Sequence, residues 1–265
     1  MKRRDFLAAS AAAGLAPLGL SRLAGAAETA DKQVLEMRVY HFADEAKRDA
    51  FDKHLAEAAI PALNRAGIKP VGVFVDPKPK GNDLYKGPDL YVLLPHASFA
   101  SFATAVHRLL ADERYIKGGE GIVDAPKKDP AYLRIESTLM ISFDAVPKVE
   151  THATGDERVF QLRIYEAHNA ERGQKKIEMF NTGGEVAIFR KCGMNPVFFG
   201  ESLIGTRIPN LTYMLGFDNP EAQKAAWGKF MKHPDWKRIS RDPQYRDTVS
   251  RITNIILKPA ASSQI

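Results

Sequence analysis

The sequence predicts an α+β fold built from two similar halves, and three observations support this prediction. The chain has 265 residues, of which 45% are hydrophobic and 26% are charged, a composition typical of globular proteins. That length can hold two domains of about 110 to 130 residues, each large enough to bury its own core. Short motifs recur along the chain in the same order, and each half alternates between strand-like and helix-like periodicity. We therefore expect a duplicated unit.

The recurring motifs define the repeat. Three motifs of the first half reappear in the second half, displaced by 125, 126 and 121 residues. They are MRVY at 37–40 with LRIY at 162–165, GIKPV at 67–71 with GMNPV at 193–197, and LYVLL at 90–94 with LTYML at 211–215. A helical segment with large residues follows in each half, where Val106, Leu109 and Tyr115 correspond to Trp227, Phe230 and Trp236. The smaller last displacement places five extra residues in the loop 76–89.

The first half is predicted to begin with a strand, a helix and a second strand. Residues 35–41 alternate between apolar and polar side chains, the period of a half-buried strand. Asp44 can cap a helix that ends at Gly67, because carboxylates favour helix starts and glycine often follows the last helical turn. The inward positions of this helix are about four residues apart, at Phe51, Leu55, Ala59 and Leu63. Residues 71–75 form the second strand.

The rest of the first half repeats this order as strand, helix and strand. Residues 90–94 and 133–143 have strand patterns, with a helix between them that Ser98 can cap. The side chains predicted to face inward from this helix are Phe99, Phe102, Val106 and Leu109. The second half repeats the whole pattern from residue 159 to residue 257. The predicted divisions are a signal peptide at 1–27, a first unit at 33–144, a linker at 145–157, a second unit at 158–258 and a tail at 259–265.

The order strand, helix, strand, strand, helix, strand is that of a ferredoxin-like unit. Such a unit has an antiparallel sheet with helices on one face, so its other face needs a cover. Two fused copies can cover each other by packing sheet to sheet. We therefore expect two tandem ferredoxin-like units arranged as an intrachain dimeric α+β barrel.

The residues that open each half resemble those of a known family. The strands EMRVY at 36–40 and QLRIY at 161–165, the Gly-x-x-Pro strand entries, and the segment from Trp227 to Trp236 with its His233-Pro234 step are similar to the NIPSNAP family. The resemblance covers both halves and implies the dimeric α+β barrel, but no agreed set of catalytic residues. The first half departs from it at Val106 and Tyr115, where the second half has tryptophans. The two halves are therefore expected to differ.

The N-terminus is typical of an export signal. Arg3 and Arg4 precede a weakly apolar stretch at 8–20 and then the small residues at 24–27, the order found in secretory signals. The paired arginines indicate the twin-arginine translocase as the partner during export. The apolar stretch is shorter than the roughly 20 residues that span a bilayer. We expect a periplasmic or secreted protein without a stable membrane span; an uncleaved anchor is the alternative.

Charge and cysteine content exclude several functions. The formal net charge is +6, but removing the first 27 residues leaves 34 basic and 31 acidic residues, a balance of +3. A nucleic-acid partner is therefore not expected. The single cysteine, Cys192, excludes an internal disulfide and a multi-cysteine metal site.

Six side chains on the two opening strands are the predicted ligand-binding residues. Successive side chains of a strand point to opposite faces. If the apolar members Met37, Val39, Leu162 and Ile164 face the helices, the polar members must face the space between the sheets. Buried arginine requires an acid or an anionic ligand, so a small polar or anionic molecule is expected there; the alternative is that Arg38 pairs with Glu36 or a cross-strand acid. The predicted set is Glu36, Arg38, Tyr40, Gln161, Arg163 and Tyr165.

No catalytic template is recognisable. The histidines lack the spacing of a helical zinc site, and the chain has no phosphate-binding glycine loop and no nucleophile elbow. Two helical histidines, His54 and His107, are expected to be surface or partly buried residues rather than ligands. No metal and no cofactor are expected, with haem as an alternative. The function predicted is small-molecule binding; a cofactor-poor or haem-dependent barrel monooxygenase and a structural module remain alternatives. Catalysis and homo-oligomerisation stay open.

Overall fold

The computed structural model describes residues 32–78, 84–153 and 155–265. The predicted signal peptide at 1–27, including Arg3 and Arg4, lies outside the described residues. Among the helices of the described part, none is long and apolar enough to cross a bilayer.

The first half follows the predicted order of elements. Asp44 caps the first helix by accepting a hydrogen bond from the Lys47 amide at 2.9 Å, and Ser98 caps the third by accepting one from Ser101 at 3.2 Å. Gly67 has a φ of 81°, the left-handed conformation that ends a helix most easily at glycine. The elements are β1 (Val34–His41), α1 (Glu45–His54), a π-helical turn (Leu55–Ala59), α2 (Ile60–Arg65), β2 (Gly72–Val75), β3 (Asp89–His96), α3 (Phe99–Leu110), α4 (Glu113–Gly118) and β4 (Arg134–Ser142).

The second half repeats this order, with Gly193 in the same left-handed conformation as Gly67. Its elements are β5 (Val159–Glu166), α5 (Ala170–Phe180), α6 (Glu185–Lys191), β6 (Asn195–Ile204), β7 (Asn210–Phe217), α7 (Pro220–Lys232), α8 (Pro234–Ile239), a 3₁₀ turn (Pro243–Tyr245) and β8 (Arg251–Pro259).

The eight strands pair into one closed antiparallel barrel in the order β1-β3-β2-β8-β5-β7-β6-β4. Each half contributes four neighbouring strands, so the barrel has two seams. At one seam β2 pairs with β8 at Phe74–Pro259 and Val75–Lys258, and at the other β4 pairs with β6 from Leu139 to Ser142. The predicted mixed α+β barrel is confirmed.

The interior of the barrel is filled by apolar side chains from both halves. Because these side chains lie against each other with almost no exposed surface, the interior is a packed core rather than a cavity. The cluster consists of Leu35, Met37, Phe74, Tyr91, Leu93, Met140, Phe160, Leu162, Val197, Phe198, Met214, Leu257 and Ile265.

The predicted direction of the polar side chains on β1 and β5 is wrong. Met37 and Leu162 point into the barrel, whereas Arg38 and Tyr40 lie under the helices of the first half, and Arg163 and Tyr165 under those of the second. Alternation correctly separated the two sets of side chains, but it could not say which set faces inward, since both faces of β1 and β5 are covered. The closed interior excludes water, so it takes the apolar set.

A second correction concerns α3. Phe99 and Val106 were expected to face inward but are 52% and 49% exposed, while Ala105 and Leu109 are buried. The helix α3 is therefore rotated about its axis relative to the prediction. Val106 lies at the edge of the layer between the helices and the sheet.

The C-terminal residues 259–265 pack on the barrel. The Gln264 amide donates to the Val71 carbonyl at 2.9 Å, and the Val71 amide donates to the Gln264 side chain at 2.8 Å. Ile265 is 6% exposed and lies in the apolar cluster inside the barrel. The segment thus continues the seam that β2 and β8 begin.

We expect Ile265→Ala to lower the free energy of unfolding by about 2 to 4 kcal/mol, because a buried isoleucine loses transfer energy and leaves a cavity. Chemical denaturation of the purified protein measures this. Ala261→Ser, at an exposed position of the same segment, is the control. Equal stability of the two variants would show that Ile265 does not belong to the core.

Candidate functional site

The helix-facing side of β1 carries a charged pair. Arg38 donates through Nε to Glu36 Oε1 at 2.6 Å and through Nη2 to Oε2 at 2.9 Å. The arginine side chain is 14% exposed and the glutamate side chain 4%, so the pair is largely withdrawn from water. The bidentate geometry is the one that best satisfies a buried guanidinium and carboxylate together. Arg38 therefore has the partner that the predicted alternative named, but the pair lies on the helix-facing side of the sheet and not between the sheets.

Neighbouring side chains complete the hydrogen bonding of Glu36. Ser137 on β4 donates to Oε1 at 2.9 Å, and His96 Nε2 on β3 lies 3.4 Å from Oε2. Burial alone would raise the pKa of Glu36, but the hydrogen bonds with His96, Arg38 and Ser137 and the charge of Arg38 together outweigh it and lower the pKa from 4.5 to about 2. Glu36 is therefore an anion that neutralises Arg38 at any ordinary pH.

A cavity of about 340 Å³ lies beside this pair, between the outer face of the sheet and the helices of the first half. Arg38 forms part of its wall. The remaining wall is mainly apolar and comes from the strands, the π-helical turn and helices α1 to α4. The apolar lining includes Phe51, Leu55, Leu63, Val92, Leu94, Val106, Leu109 and Ile122.

His54 lines the same cavity at the point where α1 changes into the π-helical turn. Such turns insert an extra residue into a helix and are frequent at functional sites. Two glycines let α4 approach closely, since a Cβ on Gly119 would come 2.8 Å from the His54 ring and one on Gly118 would come 3.2 Å from Ala58. The close approach of α4 therefore places the His54 imidazole in the wall of the cavity.

The His54 imidazole is buried and unpaired. The residue is 6% exposed, and Nδ1 has no hydrogen-bond partner within the part of the chain that the structure describes. Burial lowers the pKa of His54 below its ordinary value of 6.5, because the charged form loses its hydration. The neutral ring is therefore the form present near pH 7.

Aromatic rings connect His54 with Arg38 along the wall. The ring of His54 is 5.5 Å from that of Tyr115 and 5.7 Å from that of Phe51. The Phe51 ring is 4.7 Å from the Tyr40 ring, whose hydroxyl lies 3.4 Å from Arg38 Nη1. Tyr132 packs edge-on against both Tyr40 and Phe51. The cavity therefore has an aromatic side, along which the rings of Tyr40 and Phe51 separate Arg38 from His54.

The equivalent space of the second half is filled. Trp227, which corresponds to Val106, donates from its indole nitrogen to Gln161 at 2.7 Å. The Arg163 guanidinium lies 4.8 Å from the centre of the Trp227 ring and 5.2 Å from that of Tyr165, distances typical of cation–π contacts. A glutamine stands where the first half has Glu36, so tryptophan and glutamine replace the ion pair and the cavity.

The six predicted site residues therefore form two separate groups. Glu36, Arg38 and Tyr40 lie together beside the cavity of the first half. In the second group Gln161 and Arg163 lie under α7, and Tyr165 lies beside Arg163 and packs on Phe180 of α5. They do not converge between the sheets as predicted, since the barrel interior separates the two layers.

Sequence reasoning missed His54, Tyr115 and Tyr132 as members of this site. A single histidine in a helix carries no signal of burial, and Tyr132 lies outside every predicted element. One signal was present in the comparison of the two halves. Val106 stands where the second half has Trp227, and the smaller side chain leaves space between the sheet and the helix.

The described residues contain no group of three or more histidine, cysteine, aspartate or glutamate side chains placed to hold a metal ion. The cavity lining offers one imidazole, from His54, and the phenol oxygens of three tyrosines. These donors suit hydrogen bonding to an organic molecule.

The fold defines a class of protein, the closed α+β barrel with helices covering the outside. Within that class, residues 160–264 match the NIPSNAP family model, and so the predicted resemblance is confirmed for the second half of the chain. No curated protein matches the sequence.

Solved structures share the fold at low sequence identity. A proposed monooxygenase from Fusobacterium nucleatum is 8% identical with a TM-score of 0.56, covering 86% of this chain and 92% of its own. A second proposed monooxygenase, from Lactobacillus acidophilus, is 14% identical with a TM-score of 0.57, covering 86% and 94%. A NIPSNAP-like domain protein from Burkholderia xenovorans is 19% identical with a TM-score of 0.38, covering 41% and 90%. The first two establish the likeness of the barrel and nothing about activity.

The Glu36–Arg38 pair predicts a specific acid sensitivity. Because the pKa of Glu36 is about 2 in the folded chain and 4.5 ordinarily, its contribution to stability is complete above pH 4.5 and is lost as the pH falls toward 2. Between about pH 5 and about pH 3, the free energy of unfolding of the natural protein should fall by about 2 kcal/mol more than that of Glu36→Gln. Denaturant titrations at several pH values measure this. Glu57→Gln, at an exposed position, is the control, and parallel pH profiles for Glu36→Gln and the natural protein would contradict the assignment.

His54 predicts a second pH dependence, near neutrality. Its folded pKa lies below 6.5, so the unfolded chain binds a proton first and stability falls as the pH drops below 6.5. His54→Phe should make this decline shallower and should not destabilise the protein at pH 8, since an unpaired buried nitrogen is removed from an aromatic cluster. Melting temperatures from pH 5 to 8 test this. A decline as steep in His54→Phe as in the natural protein would show that another group causes it.

Proposed function

We propose that the first half of this chain binds a small, neutral, mainly apolar molecule in the cavity between its sheet and its helices, with a hydrogen-bond acceptor of that molecule facing Arg38. The observation that carries this proposal is the difference between the halves. The same fold leaves about 340 Å³ open beside Arg38, yet fills the equivalent space beside Arg163 with Trp227.

The size and lining of the cavity indicate the kind of molecule. An engineered apolar cavity of about 150 Å³ accepts benzene, and natural ligand pockets begin near 300 Å³. A cavity of about 340 Å³ with an aromatic side therefore suits a compound of two or three rings. The ring faces of Tyr40, Phe51 and Tyr115 can stack on such a compound.

The charge balance favours a neutral ligand over the anionic one that the sequence suggested. Arg38 is already neutralised by the bidentate carboxylate of Glu36. An anion would enter a desolvated site whose net charge is close to zero, which costs hydration without a compensating free cation. Arg38 Nη1 still has donor capacity, because its contact with the Tyr40 hydroxyl is long, at 3.4 Å. A carbonyl or quinone oxygen is the acceptor that fits.

We infer a common origin for the two halves. The strand order is β4-β1-β3-β2 in one half and β8-β5-β7-β6 in the other, the order of a ferredoxin-like unit. The repeated motifs support tandem ferredoxin-like units, with the NIPSNAP match extending to a diverged first half. In this proposal the first half keeps an open site and the second half has lost it.

We also propose that the protein acts after export. The paired arginines Arg3 and Arg4, the apolar stretch and the small residues at 24–27 support a twin-arginine signal and a periplasmic or secreted location. A pathway that exports folded proteins is compatible with a barrel whose two seams join strands distant in sequence.

An oxygenase acting on the bound molecule is the second candidate. The observation that favours it is a neutral imidazole, His54, beside a cavity with an aromatic side, in a fold shared with two proposed monooxygenases. Oxygen uptake by the purified protein that depends on an added ring ketone would support this candidate, whereas binding without turnover would leave a binding protein.

Benzophenone, a neutral ketone with two rings, is a direct probe of the proposed site. The natural protein should bind it in equilibrium dialysis, and near-ultraviolet irradiation should cross-link it to peptides from α1 to α4. Val106→Trp copies the residue that fills the second half and should weaken binding at least about tenfold, because the added ring occupies the cavity.

Ala103→Trp places the same ring on an exposed position of α3 that does not line the cavity, and it should bind benzophenone like the natural protein. A charged analogue, 4-benzoylbenzoate, should bind more weakly than benzophenone. Cross-links in the second half, or equal binding by both tryptophan variants, would contradict the proposed site.

A further inference from the structure

We propose that His54 binds a hydroxyl group of the ligand, so that the molecules recognised are neutral ring compounds with a carbonyl at one end and a hydroxyl at the other. This inference rests on the proposed function, since it assigns a second anchoring group within the same cavity. It names the chemical class of the ligand, hydroxylated aryl ketones and quinones.

The first observation is the unsatisfied state of the imidazole. His54 is 6% exposed, and among the described residues its buried ring nitrogen Nδ1 has no hydrogen-bond partner. Buried polar groups in folded proteins almost always have a partner, because an unpaired one loses its hydration without compensation. A ligand that supplies the missing hydrogen bond accounts for a polar ring at this position.

The second observation is the composition of the surroundings. The other titratable groups in the described lining are Arg38, Tyr40, Tyr115 and Tyr132, and that lining contains no carboxylate and no lysine. Tyr115 meets His54 ring to ring at 5.5 Å, and Phe51 does so at 5.7 Å. No group in this wall can hold the imidazole as a cation, so the partner of His54 must be neutral.

The choice of a hydroxyl follows from the chemistry of neutral imidazole. One ring nitrogen donates a hydrogen bond and the other accepts one. A hydroxyl group can do either, so it satisfies whichever nitrogen faces the cavity. A carbonyl or an ether oxygen can only accept.

The two polar anchors lie at separate ends of the aromatic wall. The connection from Arg38 to His54 runs through the hydroxyl and ring of Tyr40 and then through the ring of Phe51. A ligand that reaches both anchors must therefore carry its two polar groups on opposite sides of its ring system. A para-hydroxylated diaryl ketone has this arrangement.

The test compares three probes that differ at one position, 4-hydroxybenzophenone, 4-methoxybenzophenone and benzophenone. The natural protein should bind the hydroxyl compound about three- to tenfold more tightly than the other two, the range that one net hydrogen bond provides. His54→Phe should lose the preference for the hydroxyl compound and bind the three probes with similar affinities. His54→Gln, which keeps a hydrogen-bonding group, should retain part of the preference.

His107→Phe is the matched control, because His107 lies on the exposed side of α3 and does not line the cavity; the preference should survive in it. Equal binding of the three probes by the natural protein would overturn this inference and leave the proposed function intact. A preference that persists in His54→Phe would overturn it as well. Failure of all three probes to bind would overturn the proposed function itself, and this inference with it.

Discussion

The closure of the barrel is the constraint on which the rest of this structure depends. Eight strands from two halves form one ring around a closed interior. Helices cover the outer faces of β1 and β5, and apolar side chains fill the middle of the interior. The polar residues of β1 and β5 are therefore confined to the helix-covered layers, where hydrogen-bonding partners from other elements can reach them.

This confinement produces different outcomes in the two halves. In the first, Glu36 and Arg38 pair with each other, and the space above them stays open because Val106 is small and lies at the edge of the layer. In the second half, Gln161 takes the place of the carboxylate. Trp227 makes a cation–π contact with Arg163 and donates a hydrogen bond to Gln161. A similar strand motif thus supports a cavity in one half and solid packing in the other, and the difference arises from the first residue of the motif and from the facing helix.

The chemistry of the open half follows from the same arrangement. The carboxylate that stabilises Arg38 also removes its net charge, which turns a predicted anion site into one suited to neutral acceptors. The π-helical turn and the close approach of α4 at Gly118 and Gly119 place His54 against the cavity without a partner. Binding and any reaction would therefore depend on hydrogen bonds and aromatic stacking rather than on charge.

Local chemistry in the sequence determined the order of the elements, the helix caps at Asp44 and Ser98 and the glycine that ends α2, since each depends on neighbouring residues. Alternation along β1 and β5 likewise separated Arg38 and Tyr40 from Met37 without any structure. Only the tertiary structure decided which of these sets faces inward, because a strand covered on both sides gives the same pattern in either orientation. The burial of His54 and the open space beside Arg38 were also decided there, since both arise from the way the helices pack on the sheet and from Val106 lying half-exposed at the edge of the cavity.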